Sequence, residues 1–186
     1  MSDKSERLCP VEKAGGLDTK IRRWLQNPRK ILRPYIEEGM TVLDLGCGPG
    51  FFSIELAKMV GKSGLVIASD LQEGMLQKLR DKIQGTEVEK IIRPHKCGEG
   101  KIGVSDNVDF VLAFYMVHEV PNKEAFLGEI HSILKPNGLF LIVEPRLFHV
   151  TKKDFEKTIS KAKEIGFVPI EQPRVFLGWS MIFGKG

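Results

Sequence analysis

Cysteine is scarce in this chain of 186 residues, which holds only Cys9, Cys47 and Cys97. An odd, sparse set builds no disulfide framework, so a reducing, cytoplasmic setting is expected. Apolar stretches such as Leu139 to Val143 are far shorter than the ~20 residues that cross a bilayer. The first residues, Met1 to Arg7, are charged and have no apolar core, so no signal peptide is expected. Internal repeats and low-complexity runs are missing too. A net charge of +4 permits an anionic partner without demanding one. At 42% hydrophobic and 28% charged residues, the chain is expected to form a single domain over 1–186 with its own core.

The rest of the chain is organised around Thr41 to Phe52, TVLDLGCGPGFF. A short apolar run suited to a buried parallel strand leads into Gly46, Gly48 and Gly50, and Phe52, Leu56, Ala57, Met59 and Val60 then recur at helical spacing. Strand, glycine turn and helix in this order open a dinucleotide-type fold. Two details bear on the ligand. Phe51 stands where the third glycine of a G-x-G-x-x-G pattern belongs, and Asp44 lies two residues before the first glycine. A carboxylate there repels a pyrophosphate. It suits S-adenosylmethionine (SAM), which carries a sulfonium and an ammonium and no phosphate.

Asp44 to Gly50, DLGCGPG, resembles the first motif of the class I SAM-dependent methyltransferases, in particular their UbiE-like small-molecule group. The resemblance covers roughly residues 40–145 by motif. It implies an α/β, Rossmann-like three-layer sandwich with a seven-stranded, mostly parallel sheet ordered 3-2-1-4-5-7-6, the last-inserted strand antiparallel. An irregular arm over 1–19, an N-terminal helix over 20–38 and a core over 39–186 are expected. The helix would be interrupted by Pro28 and Pro34, with Arg22, Arg23, Arg29, Lys30 and Arg33 as a solvated basic face.

Further along, Leu65 to Ser69 forms the second expected strand and ends in Asp70, about 20 residues past the glycines, where a ribose-binding acid belongs. Val88 to Ile92 is taken as the third strand and Arg93 to Gly103 as the loop on the adenine side. In that loop the family's Gly-Asp-Ala pattern is replaced by Cys97-Gly98-Glu99, so either Glu99 or the backbone at Cys97-Gly98 meets the adenine amino group. Val108 to Phe114 is the fourth strand. Asn122 caps a helix that Lys135 to Gly138 closes, Leu139 to Val143 is the fifth strand, and Thr151-Lys-Lys-Asp154 opens a helix ended by Gly166. Two strands follow, Phe167 to Glu171 and Val175 to Phe183.

By resemblance, the cofactor side comprises Asp44, Gly46, Cys47, Gly48, Gly50, Phe51, Asp70, Leu71, Met75, Cys97, Gly98, Glu99, Ala113 and Phe114. Tyr115 and His118, just past the fourth strand, are the candidate catalytic residues on the substrate side. The expected donor is SAM, with S-adenosylhomocysteine (SAH) as product. The acceptor is expected to be a small molecule, not a membrane and not a nucleic acid. An Asn/Asp-Pro-Pro-aromatic motif is missing after the fourth strand, as are the metal-binding acids of catechol-type enzymes. Three alternatives stand beside this: a thiophilic metal or metalloid acceptor gathered by Cys9, Cys47 and Cys97; a SAM-binding module without catalysis; and an NAD-dependent oxidoreductase, against which Asp44 and Phe51 argue.

Overall fold

The computed structural model describes residues 25–146 and 150–186. The arm expected over 1–19, Cys9, and residues 20–24 of the expected helix lie outside the described residues. Asn27 accepts a hydrogen bond from Lys30 N and caps a short helix, α1 (Pro28–Leu32). Pro28 therefore begins a helix, because its missing N–H costs nothing in the first turn, and the helix stops before Pro34. Arg29, Lys30 and Arg33 are solvent-exposed, as expected for a solvated face.

The elements that follow are β1 (Thr41–Leu45), α2 (Ser53–Val60), β2 (Leu65–Asp70), α3 (Glu73–Ile83), β3 (Ile92–Lys96) and β4 (Val108–Phe114). A single 3-10 turn (Val117–Glu119) leads to α4 (Lys123–Ile133), β5 (Leu134–Pro145), α5 (Lys152–Ile165), β6 (Phe167–Glu171) and β7 (Gly178–Lys185). The seven strands form one sheet ordered β3-β2-β1-β4-β5-β7-β6, with β7 antiparallel to both its neighbours. That is the topology the sequence leads one to expect.

Alternation along the strands sorts the core into two layers. From β1 and β4, Val42, Phe110 and Leu112 face one layer, packed with Leu56 and Val60 of α2 and Leu76 and Leu79 of α3. Leu43, Val111 and Ala113 face the other, with Leu127 and Ile130 of α4 and Phe155 of α5. Central strands covered on both faces are apolar on both sides, hence their near-continuous hydrophobic runs.

Three strands depart from expectation, the last only in its bounds, since β7 runs Gly178–Lys185 rather than Val175 to Phe183. Val88 to Ile92 is not a strand: Ile92 N donates to Val88 O, an i to i−4 bond. Val88, Ile91 and Ile92 are all buried, at the i, i+3, i+4 spacing of a helical turn. The third strand starts at Ile92 and includes Pro94, which an edge strand tolerates because one side needs no donor. The fifth strand begins at Leu134 rather than Leu139. Pairing passes from Val108↔Leu134 to Phe110↔Leu139, so the Lys135 to Gly138 stretch bulges over a single β4 residue, Asp109. Lys135 Nζ fastens that bulge to both Asp109 oxygens at 2.7 and 2.8 Å.

Thr151 caps α5 as its sequence signature implies, accepting from Asp154 N and donating to Asp154 Oδ2 at 2.7 Å. Gly166 ends the helix at φ 115°. Thr151→Ala is expected to lower stability by about 1 kcal/mol. A urea titration should show this as an earlier midpoint at unchanged slope.

Candidate active site

The strand order reverses between β1 and β4, and the crevice at such a point lies at the carboxyl ends of the strands. Here it is a cavity of about 740 Å³. It is bordered by the turn after β1, Asp70 at the end of β2, the loop after β3, and the residues that follow β4. Ligand pockets usually measure about 300–1,000 Å³, so this one has room for a nucleoside-sized molecule beside a second one.

The glycine turn is shaped by close approach. A Cβ on Gly46 would stand 3.0 Å from Met116 Cβ, and its φ of +67° is one that L side chains rarely adopt. Asp44, 2% exposed, accepts from Ser53 Oγ at 2.5 Å, which ties the end of β1 to the first residue of α2. Gly48 N donates to Asp70 Oδ2 and Gln72 N to Asp70 Oδ1, both at 2.8 Å. The turn after β1 thus orients the acid at the end of β2. An ionised carboxylate has about four lone-pair positions, so roughly two remain for a ligand. Burial pushes the Asp70 carboxyl up, against the pull of its backbone donors.

Of the residues expected on the cofactor side, the structure gathers Asp44, Gly46, Cys47, Phe51, Asp70, Leu71, Met75, Cys97, Gly98, Glu99 and Phe114 on the cavity wall. Gly48, Gly50 and Ala113 stand behind it. Gly48 acts through its hydrogen bond to Asp70, Gly50 packs against Leu79 of α3, and Ala113 is buried in β4 between Leu45 and Ile142. Gly98 and Lys101 exchange backbone hydrogen bonds at the tip of the loop after β3, and Glu129 of α4 accepts from Ile102 N and Gly103 N, which anchors that loop. Burial pushes both Cys47 and Cys97 thiols up, the direction opposite to a reactive thiolate. Among the described residues, no group of three or more His, Cys, Asp or Glu side chains is placed to hold a metal ion.

On the far side of the cavity, Phe52, Phe114 and Tyr115 form an aromatic wall, with successive ring centroids 4.4 and 4.5 Å apart. Tyr115 has φ of +60°, a conformation that costs a non-glycine residue energy and clusters at functional sites. Its ring lines the cavity, while its hydroxyl receives a hydrogen bond from Gln26 Nε2 at 2.6 Å and donates to Leu177 O at 3.1 Å. That hydroxyl ties the aromatic wall to the loop between β6 and β7. His118 does not line the cavity. Its Nδ1 lies 2.9 Å from Glu144 Oε2. Burial works against the charged imidazolium, yet the hydrogen bond and charge of Glu144 outweigh it and hold the His118 pKa above its usual value.

Several lining residues escaped the sequence reading, among them Met116, Glu119, Asn122 and Phe126. Glu119 is the most consequential, because burial, with the charges of Glu144 and Asp70, raises it to about 7 against the opposing charge of His118.

Residues 36–173 match the model of a family described as a methyltransferase domain. The chain belongs to that family. A demethylmenaquinone methyltransferase of Lactobacillus johnsonii is 36% identical over 110 residues, covering 59% of this chain and 45% of that protein. The ubiquinone/menaquinone biosynthesis C-methyltransferase UbiE of Haemophilus ducreyi is 31% identical over 110 residues, 59% of this chain and 42% of its own length. The matched stretch therefore spans less than half the length of either relative. A SAM-dependent methyltransferase from Aquifex aeolicus superposes with a TM-score of 0.85 at 28% identity, covering 96% of this chain and 100% of that one.

Proposed function

We propose that this single-domain chain is an enzyme that transfers a methyl group from SAM to a small-molecule acceptor. The observation that carries this is the charge of the cavity wall. Among the described residues, Asp44, Asp70, Glu99 and Glu119 line it against one cation, Lys101. A wall of that sign suits a ligand bearing a sulfonium and an ammonium and opposes a pyrophosphate. The residues present fit SAM: the glycine turn lets the backbone approach, Asp70 has acceptor capacity left for two ribose hydroxyls, and Asp44 and its surroundings favour the cationic end. Leu71 and Met75 supply an apolar surface for adenine, and Cys97, Gly98 and Glu99 its polar edge.

When bound, SAM supplies a methyl carbon already activated by its sulfonium. What the chain must do is hold the acceptor in line behind that carbon and keep water away. The aromatic wall of Phe52, Phe114 and Tyr115 is suited to both tasks. The relatives' names speak of quinone biosynthesis, which supports a small acceptor.

Calorimetric titration with SAH, using NADH as the comparison, tests the donor. Tight SAH binding with none by NADH is expected, and the reverse would overturn the proposal. The titration also has a pH signature. The ionised form of Asp70 accepts both hydroxyls, and burial raises its pKa, so protonation sets in at higher pH than for an ordinary aspartate. SAH affinity is expected to fall as pH drops through that raised value and to recover above it. In Asp70→Asn this component of the pH dependence should vanish.

A further inference from the structure

Three ionisable side chains stand in a row at the end of the cavity that follows β4. Glu144, at the end of β5, is 2% exposed. Its Oε1 accepts from Val117 N at 3.1 Å, and its Oε2 lies 2.9 Å from His118 Nδ1. His118 Nε2 is 3.9 Å from Glu119 Oε1. Only Glu119 of the three lines the cavity. The row therefore runs from a buried, backbone-anchored carboxylate, through an imidazole, to a carboxylate that can touch a ligand.

We propose that Glu119 is the catalytic base that takes the proton from a neutral hydroxyl acceptor, with His118 and Glu144 as positioning residues behind it. This rests on the methyl-donor reading above. In the step, a lone pair of the acceptor oxygen attacks the methyl carbon. The O–C bond forms, the C–S bond breaks with its electron pair going to sulfur, and the sulfonium becomes a thioether. The hydroxyl proton passes to the Glu119 carboxylate and leaves afterwards to solvent.

Charge balance favours this assignment. Methyl transfer removes the positive charge of the sulfonium and, from a neutral acceptor, releases a proton inside a largely apolar pocket. A carboxylate that accepts that proton loses its own charge as the sulfonium loses its charge, so neither is left uncompensated in a poorly solvated space. Asp70 is unsuited to the task, because two backbone donors hold its carboxylate. Glu119 faces His118 from its own turn, Glu144 from β5 and Asp70 from β2, while Lys123 of α4 opposes the charge on His118. The outcome is a carboxyl that titrates at about 7, where a general base is most effective at neutral pH. Phe114, Met116, Val120 and Phe126 nearby give an acceptor with an apolar body its seat.

The test measures SAH binding by calorimetry, and SAH formation from SAM with 1-naphthol and phenol as acceptors. In the wild type, the rate should rise with pH through about 7 and then level, because the base must be ionised. Glu119→Gln should lower the turnover rate by about 10²–10⁴-fold and abolish that limb, while SAH affinity, which loses one of several wall carboxylates, falls far less than turnover. His118→Gln removes the cation that lowers the Glu119 pKa, so the limb should move to higher pH. No SAH binding by the wild type would overturn the methyl-donor reading itself. SAH binding without turnover of either hydroxyl compound would overturn the present proposal alone, as would a Glu119→Gln enzyme as fast as wild type with the limb intact. Should Glu119→Gln lose SAH affinity to the same extent, Glu119→Asp decides. Residual turnover with a displaced limb supports the proposal, and an unmoved limb overturns it.

Discussion

Asp70→Ala is expected to weaken SAH binding by about 10- to 150-fold, equivalent to about 1.5–3 kcal/mol. The carboxylate already accepts one backbone N–H on each oxygen, from Gly48 and Gln72, and these two bonds aim its remaining lone pairs into the cavity. Hydrogen bonds to a charged acceptor are about twice as strong as neutral ones. Truncation removes the acceptor proposed for both ribose hydroxyls and also frees the Gly48 and Gln72 N–H groups, so the glycine turn keeps only its backbone tie to β2, Cys47 N to Ser69 O at 3.0 Å. Asp70→Asn separates the two effects. It fills the same space, but its amide must turn a donor toward one of those N–H groups, so affinity should still fall while the fold is better preserved. Calorimetry with SAH reads the first effect and thermal unfolding without ligand the second. Unchanged affinity in both variants would show that the ribose is not held at Asp70.

The strand, glycine turn and acid that border the cavity were legible because local signals there agree with the global fold, whereas the sheet order followed from the family resemblance. The run Thr41 to Leu45 is apolar on both faces, Gly46 and Gly50 need backbone freedom, and Asp70 closes a strand at the distance where a ribose acid belongs. Each of these properties is written in consecutive residues. The third strand was misplaced for the opposite reason. Val88, Ile91 and Ile92 are β-branched and adjacent, yet what buries them is a turn packed beneath the sheet, and Pro94 disguises the true edge strand. Tertiary context overrode propensity at that point.

The acceptor side was only half legible. Tyr115 and His118 were picked out by their place after β4, but which of the two side chains touches the cavity depends on a 3-10 turn no longer than Val117–Glu119. That turn faces His118 toward Glu144 and leaves Glu119, the next residue, on the wall. The partnership of His118 with Glu144 spans 26 residues of chain and two strands. A carboxylate at the carboxyl end of β5 was the available signal for it, since ligands gather at that edge of such sheets.

Gly50→Ala should destabilise the fold by about 2–5 kcal/mol, a large part of the 5–15 kcal/mol typical of a domain. Two separate costs add. Gly50 has φ of +85°, and an L side chain in that region costs about 1–2 kcal/mol. Its new Cβ would also stand 2.4 Å from Leu79 Cδ1, and Leu79 is wholly buried in α3, so something in a packed core must move, at about 1–3 kcal/mol. The double variant Gly50→Ala/Leu79→Val tells them apart, because valine has no δ carbon. Leu79→Val alone should cost about 0.5–1.5 kcal/mol for one lost methylene. In the double variant the steric cost disappears and only the backbone cost of about 1–2 kcal/mol remains above that baseline, so the two changes should be clearly less than additive. Full additivity in urea unfolding would mean that the strain lies in the backbone alone. Gly50 does not line the cavity, yet its turn also carries Gly48 N, which orients Asp70. SAH affinity should therefore fall in Gly50→Ala and recover in part in the double variant, since the packing of Leu79 against Gly50 supports the turn whose Gly48 N orients Asp70.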